Sequence, residues 1–210
     1  MKPVLTQDIE LGSQITANFW AWLARLRPQS LETTPKPIGV DTMTWIFRHL
    51  FAIAVLPFTV AVVIPVWLAR RNAVSLALAQ TAAQVALQAC GVAILGLGLL
   101  LFSASLRRFI REGRGTLAPW DPPRHLVVAG AYRFVRNPMI SGVLLVLIGE
   151  ALLLLSWPHV MLALIFFVIN AIYIPLIEEP RLAVRFGESY REYCRHVPRL
   201  LPRWPPWQPH

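Results

Sequence analysis

Residues 136–157 read RNPMISGVLLVLIGEALLLLSW, and residues 160–179 read VMLALIFFVINAIYIPLIEE. Apolar runs of this length predict two membrane spans, at 139–157 and 160–177. Because only Pro158 and His159 separate them, the two spans should form a tight antiparallel hairpin. The hairpin would return Glu178-Glu179 to the level of Asn137-Pro138, so we expect a polar site at that membrane boundary.

Two further apolar segments precede this hairpin. Residues 45–68 predict a first span, kinked by the prolines within it. Residues 84–106 predict a second span, in which Gly91, Gly96 and Gly98 would allow close helix packing.

Amphipathic segments flank the four apolar runs. Residues 13–27 predict a short helix that lies either in the membrane interface or on the protein's own cytosolic part. A second amphipathic helix is predicted from about Glu179 to His196. The predicted fold is therefore an all-α integral membrane protein with about four transmembrane helices, an N-terminal interfacial helix and a C-terminal cytoplasmic amphipathic helix.

The composition agrees with a membrane protein. Of the 210 residues, 56% are hydrophobic and 15% are charged, whereas soluble domains contain about 25% charged residues. The net charge of +9 could indicate nucleic-acid binding, but the arginines cluster beside the apolar runs. That distribution is typical of topology signals and contacts with lipid headgroups, so no nucleic-acid partner is predicted. The oligomeric state stays open.

The positive charges also predict an orientation. Seven arginines lie in residues 107–138 and six lie between Arg181 and Arg203, whereas Arg70 and Arg71 are the charged residues of the opposite face. The positive-inside rule then places both termini and the site in the cytoplasm of a multi-pass protein. Residues 1–44 are predicted to form a polar N-terminal segment and residues 45–210 the membrane domain. The scattered histidines and cysteines show no metal-ligand spacing, and no metal site is predicted.

The adjacent Glu178 and Glu179 are candidates for chemistry. Desolvating two carboxylates directly after an apolar span is costly unless a cation lies nearby. That cation could be an internal arginine or a bound sulfonium or ammonium group. Glu150 and Asn170 lie within spans; Asn170 is interpreted as structural, and Glu150 could either face the site or bond across the hairpin.

The order and spacing of residues in 113–203 carry a family resemblance. The matching residues are Leu126-Val127, Gly130, Tyr132, Arg136-Asn137-Pro138, Glu178-Glu179, Phe186-Gly187, Tyr190, Tyr193, Val197-Pro198-Arg199 and Pro202. In this pattern the chain resembles the isoprenylcysteine carboxyl methyltransferase and phospholipid N-methyltransferase superfamily of integral membrane enzymes.

The resemblance implies a methyltransferase that uses S-adenosylmethionine and acts on a small lipid in the membrane. It places the cofactor within about residues 113–203, against Arg124, His125, Leu126, Val127, Tyr132, Asn137, Pro138, Met139, Ile140 and Glu178. Catalytic roles would fall to Glu178, Glu179 and Arg136. The sulfonium suits a carboxylate and the cofactor's own carboxylate suits an arginine, while methyl transfer itself needs mainly positioning and exclusion of water.

Three positions depart from the family pattern. Asn137 replaces a histidine and cannot act as a base near neutral pH, and Ile140 replaces a tyrosine. Ile174 stands where prenylcysteine enzymes carry a substrate-contacting arginine. We therefore expect an acceptor without a prenylcysteine carboxylate, such as an aminolipid headgroup, with Glu179 or Glu150 accepting the amine proton.

Three further functions compete with this one. A sterol-type reductase that binds NADPH has a similar C-terminal region but more spans than this chain allows. A prenylcysteine carboxyl methyltransferase would require a different substrate contact from the one that Ile174 offers. A membrane protein without enzymatic activity would keep the same fold around an empty pocket.

Overall fold

The computed structural model describes residues 54–76, 79–113 and 125–208. Within these ranges the regular elements are helices, without a β-strand, as the predicted all-α fold requires. The predicted helix at 13–27 and the first part of the predicted span at 45–68 lie outside the described residues. The α-helices are α1 (Ile64–Arg71), α2 (Ala82–Arg108), α3 (Pro138–Leu153), α4 (Trp157–Tyr173), α5 (Glu179–Phe186) and α6 (Glu188–His196).

Short helical segments of other types connect or extend these helices. A π-helix, Ala54–Val63, leads into α1 and contains Pro57. Further π-helical turns continue α2 over Phe109–Gly113 and join α4 to α5 over Ile174–Glu178. A single 3-10 turn, Gly130–Arg133, precedes α3.

In the described part of the chain, two continuous helices are long and apolar enough to cross a membrane: Ala82–Gly113 with 32 residues and Trp157–Phe186 with 30. Only 11% of the apolar window of each is buried within the molecule, whereas the core helix of a soluble protein is mostly buried. The 16-residue α3 extends about 24 Å, less than the roughly 30 Å hydrocarbon core of a bilayer. The described helices thus supply the required length for two of the four predicted spans, and the four-span arrangement stays a prediction.

Several predicted boundaries are corrected by the structure. The helix that contains the predicted span 84–106 continues to Gly113, so the arginine-rich segment 107–138 is helical over its first seven residues. The hairpin turn comprises Leu154–Ser156, whereas Pro158 and His159 lie in the first turn of α4. Proline is favoured there because its missing N–H would have no intrahelical partner in any case.

Helices α2 and α3 run antiparallel and approach each other closely at glycines. A Cβ added to Gly98 would lie 2.7 Å from the Val146 nitrogen, and one on Gly149 would lie 2.6 Å from the Leu95 nitrogen. These contacts confirm the predicted role of Gly91 and Gly98 in close packing. Gly96 differs, because a Cβ there would meet nothing within 4 Å.

The predicted single helix from Glu179 to His196 is two helices. Gly187, with φ of 59° and ψ of −132°, separates α5 from α6. An L-amino acid with a side chain rarely adopts this conformation, so the glycine allows α6 to fold back. Tyr190, Tyr193 and Val197 then form a small buried cluster packed against Leu126 and Val128.

Candidate functional site

The segment before α3 contains the predicted Tyr-x-x-x-Arg-Asn-Pro cluster. Gly130, with φ of +58°, lies against the Arg108 side chain at the end of α2. The 3-10 turn that follows buries Tyr132 to 7% exposure. Pro138 then begins α3 in a fully buried position. The segment 130–137 therefore lies between the end of one long helix and the start of the hairpin.

The residues after α6 form a strap over this segment, which we define as the C-terminal strap, residues 197–207. Backbone hydrogen bonds join Arg136 N to Pro198 O at 2.9 Å, Arg203 N to Phe134 O at 2.9 Å and Trp207 N to Arg133 O at 3.0 Å. These three backbone hydrogen bonds join the strap to segment 130–137 at successive points, so the strap holds the segment in place.

Tyrosine and tryptophan side chains reinforce the strap. The Tyr193 hydroxyl donates to the Tyr132 carbonyl at 2.7 Å. The Trp207 indole stacks on the His196 ring, with centroids 5.1 Å apart and planes 6° apart. Burial raises the pKa of the Tyr193 phenol above its usual range, so this hydroxyl keeps the proton that it donates.

Glu179 lies at the centre of a charged cluster. Arg199 of the strap contacts it with two hydrogen bonds, from Nε at 2.6 Å and from Nη2 at 2.8 Å. The Arg136 Nη1 lies 3.2 Å from the same carboxylate and also donates to the Cys194 Sγ at 2.6 Å. The bonds to Glu179 raise the pKa of the Arg199 guanidinium. Arg136 and Arg199 thus engage both oxygens of Glu179. For this carboxylate the nearby cation is an internal arginine, which is one of the two kinds of cation that the sequence allows.

Glu178 is different from its neighbour. Within the described ranges its half-buried carboxylate has neither a hydrogen bond nor an ion pair. It lies close enough to Tyr132 to affect it: burial raises the pKa of the Tyr132 phenol above its usual range, and Tyr193 and the Glu178 charge raise it further. The Tyr132 hydroxyl is buried without a hydrogen-bond partner. A carboxylate and a phenol hydroxyl, both without partners, therefore lie in the same region.

The other predicted site residues are distributed around this region. Asn137 directly precedes α3, but its side chain does not cap the helix. Val127 is buried, Leu126, Met139 and Ile140 are half-buried, and His125 is exposed. Arg124 lies outside the described residues. The structure thus brings Tyr132, Arg136 and the Glu pair together through α5, α6 and the strap.

Glu150 is separated from this cluster. It lies 12 residues after Pro138 in α3, a distance of about 18 Å along the helix axis. Asn170, by contrast, donates to the Phe166 carbonyl at 2.8 Å, a bond within α4 and not across the hairpin. Ile174 is 1% exposed, so its apolar side chain packs inside the molecule.

Sequence reasoning assigned no role to Arg199, although it falls in the quoted Val-Pro-Arg motif. An arginine among six in a basic tail gives no signal of its partner, because Glu179 lies 20 residues earlier.

A surface cleft of about 420 Å³ adjoins Glu179. Its other lining residues are Pro175, Pro180, Ala183, Tyr190, Arg191, Cys194 and Arg195.

Comparison with known proteins identifies a matching protein family. The family model described as phospholipid methyltransferase matches residues 86–189, a range that includes α3, α4, Tyr132, Arg136 and both glutamates. The match confirms the resemblance to the superfamily of membrane methyltransferases and indicates action on lipid. No curated protein matches the chain.

Proposed function

Since residues 86–189 match the phospholipid methyltransferase family model, we propose that the protein is a membrane methyltransferase that transfers a methyl group from S-adenosylmethionine to the amine headgroup of a membrane lipid. The observation that carries the proposal is the contrast between the two adjacent glutamates. Glu179 is neutralised by Arg136 and Arg199, whereas Glu178 has no cationic partner in the part of the chain that the structure describes. A half-buried carboxylate is costly unless paired, and a sulfonium would supply the missing charge.

The surrounding groups fit the cofactor. The buried Tyr132 hydroxyl and the buried Arg136 Nε both lack hydrogen-bond partners, and buried polar atoms are rarely left so unless a ligand or water completes them. Glu178, Tyr132 and Asn137 to Ile140 would hold S-adenosylmethionine, with Arg124 to Val127 on its other side. When bound, it supplies the methyl group on its positively charged sulfur.

The proton of the ammonium headgroup must leave before attack. Glu179 is poorly suited to accept it, because two guanidinium groups already contact its oxygens. Glu112 pairs with Arg108 at 2.9 Å, and Glu150 lies about 18 Å along α3 from the Asn137 end. Among the carboxylates of the described ranges, we therefore assign proton acceptance to Glu178, which would also lie beside the sulfonium when the cofactor is bound.

The buried Ile174 supports an acceptor without a carboxylate. The family's prenylcysteine enzymes carry an arginine at this position, and a fully buried isoleucine offers no positive charge. An aminolipid is accordingly favoured over a prenylcysteine, and the family match does not favour a reductase that binds NADPH.

Binding of S-adenosylmethionine, which carries the sulfonium charge, tests the assignment of Glu178. Calorimetry on detergent-purified protein should show that Glu178→Gln weakens binding by about 1.5–3 kcal/mol, the range for hydrogen bonds to charged groups, or roughly 10- to 150-fold. The matched control is Glu188→Gln, which removes an exposed carboxylate of α6 and should leave affinity unchanged. Equal affinity in the folded Glu178→Gln protein would remove this residue from the site.

Labelled S-adenosylmethionine offered with separate lipid classes tests the acceptor. Transfer to an aminolipid is the expected result. Transfer to a farnesylcysteine analogue and to no aminolipid would contradict the interpretation of Ile174.

The proposed arrangement is multi-pass, with both termini and the site on the cytoplasmic face. The support is the excess of arginines in the segment before α3 and in the tail. Gln208 is exposed, so a cysteine there should resist an impermeant thiol reagent in intact cells and react after permeabilisation. Labelling without permeabilisation would reverse the orientation.

A further inference from the structure

The C-terminal strap has an outer face with two large apolar side chains that the site does not use. Leu201 is 80% exposed and Trp204 is 83% exposed, which are among the highest exposures of any large apolar side chain in the described ranges. Many of the other exposed apolar side chains belong to the long helices, where lipid would cover them. Leu201 and Trp204 instead lie in an irregular segment between Pro198 and Pro205.

Contacts of neighbouring strap residues hold the backbone on either side of Leu201 and beside Trp204. Arg199 is held by Glu179, and the Arg203 N–H is bonded to the Phe134 carbonyl. The Trp204 ring lies 5.7 Å from the Phe134 ring, measured between centroids. The contacts on the inner face of the strap therefore orient Leu201 and Trp204 on its outer face.

The same contacts set the depth of the strap. Phe134 lies four residues before Pro138, where the apolar helix α3 begins. Trp204, which packs against Phe134, is thus at the level where apolar sequence gives way to polar sequence. Tryptophan is enriched at this level in membrane proteins because its ring is amphipathic.

We propose that the outer face of the C-terminal strap, with Leu201 and Trp204, binds the membrane interface and inserts these two side chains at headgroup depth. The partner is the lipid surface itself. The strap then connects the bilayer to segment 130–137, since its inner face carries the backbone bonds to Arg133, Phe134 and Arg136. The site is thereby held at the depth where a lipid headgroup lies, whichever lipid is methylated.

Spin labels at single cysteines test this proposal without reference to activity. In a Cys90→Ala, Cys194→Ala background reconstituted into phosphatidylcholine bilayers, labels would replace Leu201 or Trp204. The matched control is a label at Arg191, which is exposed on α6. We expect the ratio of oxygen to nickel-chelate collisions to be higher at 201 and 204 than at 191, because oxygen concentrates in the apolar part of the bilayer whereas the nickel chelate stays in water. Equal ratios at all three positions would overturn the proposal.

A second measurement keeps both cysteines, in case their removal disturbs the Arg136 contact. Brominated phosphatidylcholine should quench part of the tryptophan emission of the wild-type protein. That quenched part should fall in Trp204→Phe, which keeps an aromatic ring beside Phe134. Unchanged lipid quenching in Trp204→Phe would show that this tryptophan faces water.

Discussion

In the contact between α2 and α3, backbone meets backbone at glycines, whereas around Glu179 charged side chains meet over distances of 2.6 to 3.2 Å. The first contact depends on shape, since apolar helices in lipid gain little from burying more apolar surface. The second depends on charge and direction, because Glu179 and Arg136 are largely withdrawn from water. The helix contact should therefore be sensitive to added volume, and the site to a change of charge.

The largest expected effect follows from removing the central charge of the site. Glu179→Gln would leave Arg136, whose side chain is 11% exposed, without its carboxylate. Breaking a buried pair on one side costs about 3–5 kcal/mol, and the partial exposure of Arg199 lowers the expected loss of unfolding free energy to about 3 kcal/mol. Denaturant titration followed by circular dichroism measures it.

The chain offers a matched control for that variant. Glu188 also bridges two arginines, Arg191 and Arg195, at 3.3 and 3.2 Å, but all three side chains are nearly two-thirds exposed. Exposed pairs contribute about 0–1 kcal/mol, so Glu188→Gln should change stability little. Similar losses in the two variants would show that burial does not distinguish the clusters.

A smaller effect is expected in the helix contact. The Cβ of Gly98→Ala would lie within 2.8 Å of two backbone atoms of α3, so the helices must separate. Overpacking of this kind costs about 1–3 kcal/mol. Gly96→Ala, two residues earlier with open space around it, should instead be neutral or stabilising by up to about 1 kcal/mol, because alanine favours helix. Equal destabilisation of both would contradict the packing.

The helices, and the proximity of the Arg-Asn-Pro cluster to the Glu pair, followed from the sequence because they depend on local pattern. Apolar runs predict helix wherever lipid can surround them, and the Arg-Asn-Pro cluster and the Glu pair were identified by order and spacing. The helix limits were less accurate. Thr81 forms a capping box with Gln84, which explains why α2 begins at Ala82, two residues before the predicted start of the span.

The roles within the site could not be read from the sequence in the same way. Two adjacent glutamates look equivalent, and their difference depends on Arg199 reaching Glu179 and not Glu178. That contact requires a π-helical turn at Ile174–Glu178, a reversal at Gly187 and the strap after α6. A π-helical turn shifts the helical register, and no residue pattern in this segment predicted it.

The smallest effect is expected at two tyrosines, because the Tyr193 hydroxyl forms a hydrogen bond and the Tyr132 hydroxyl does not. Tyr193→Phe would remove the 2.7 Å hydrogen bond to the Tyr132 carbonyl and should lower the unfolding free energy by about 1 kcal/mol. Tyr132→Phe would remove a buried hydroxyl that has no partner; it should leave stability unchanged or raise it slightly, because nothing is lost and a desolvated group disappears. The same Tyr132→Phe protein should bind the demethylated cofactor product less tightly, by about 0.5–1.5 kcal/mol for one neutral hydrogen bond, as calorimetry can measure. If Tyr132→Phe destabilises the protein and leaves that affinity intact, the hydroxyl is structural, and the site must be completed by Glu178 and Arg136 without it.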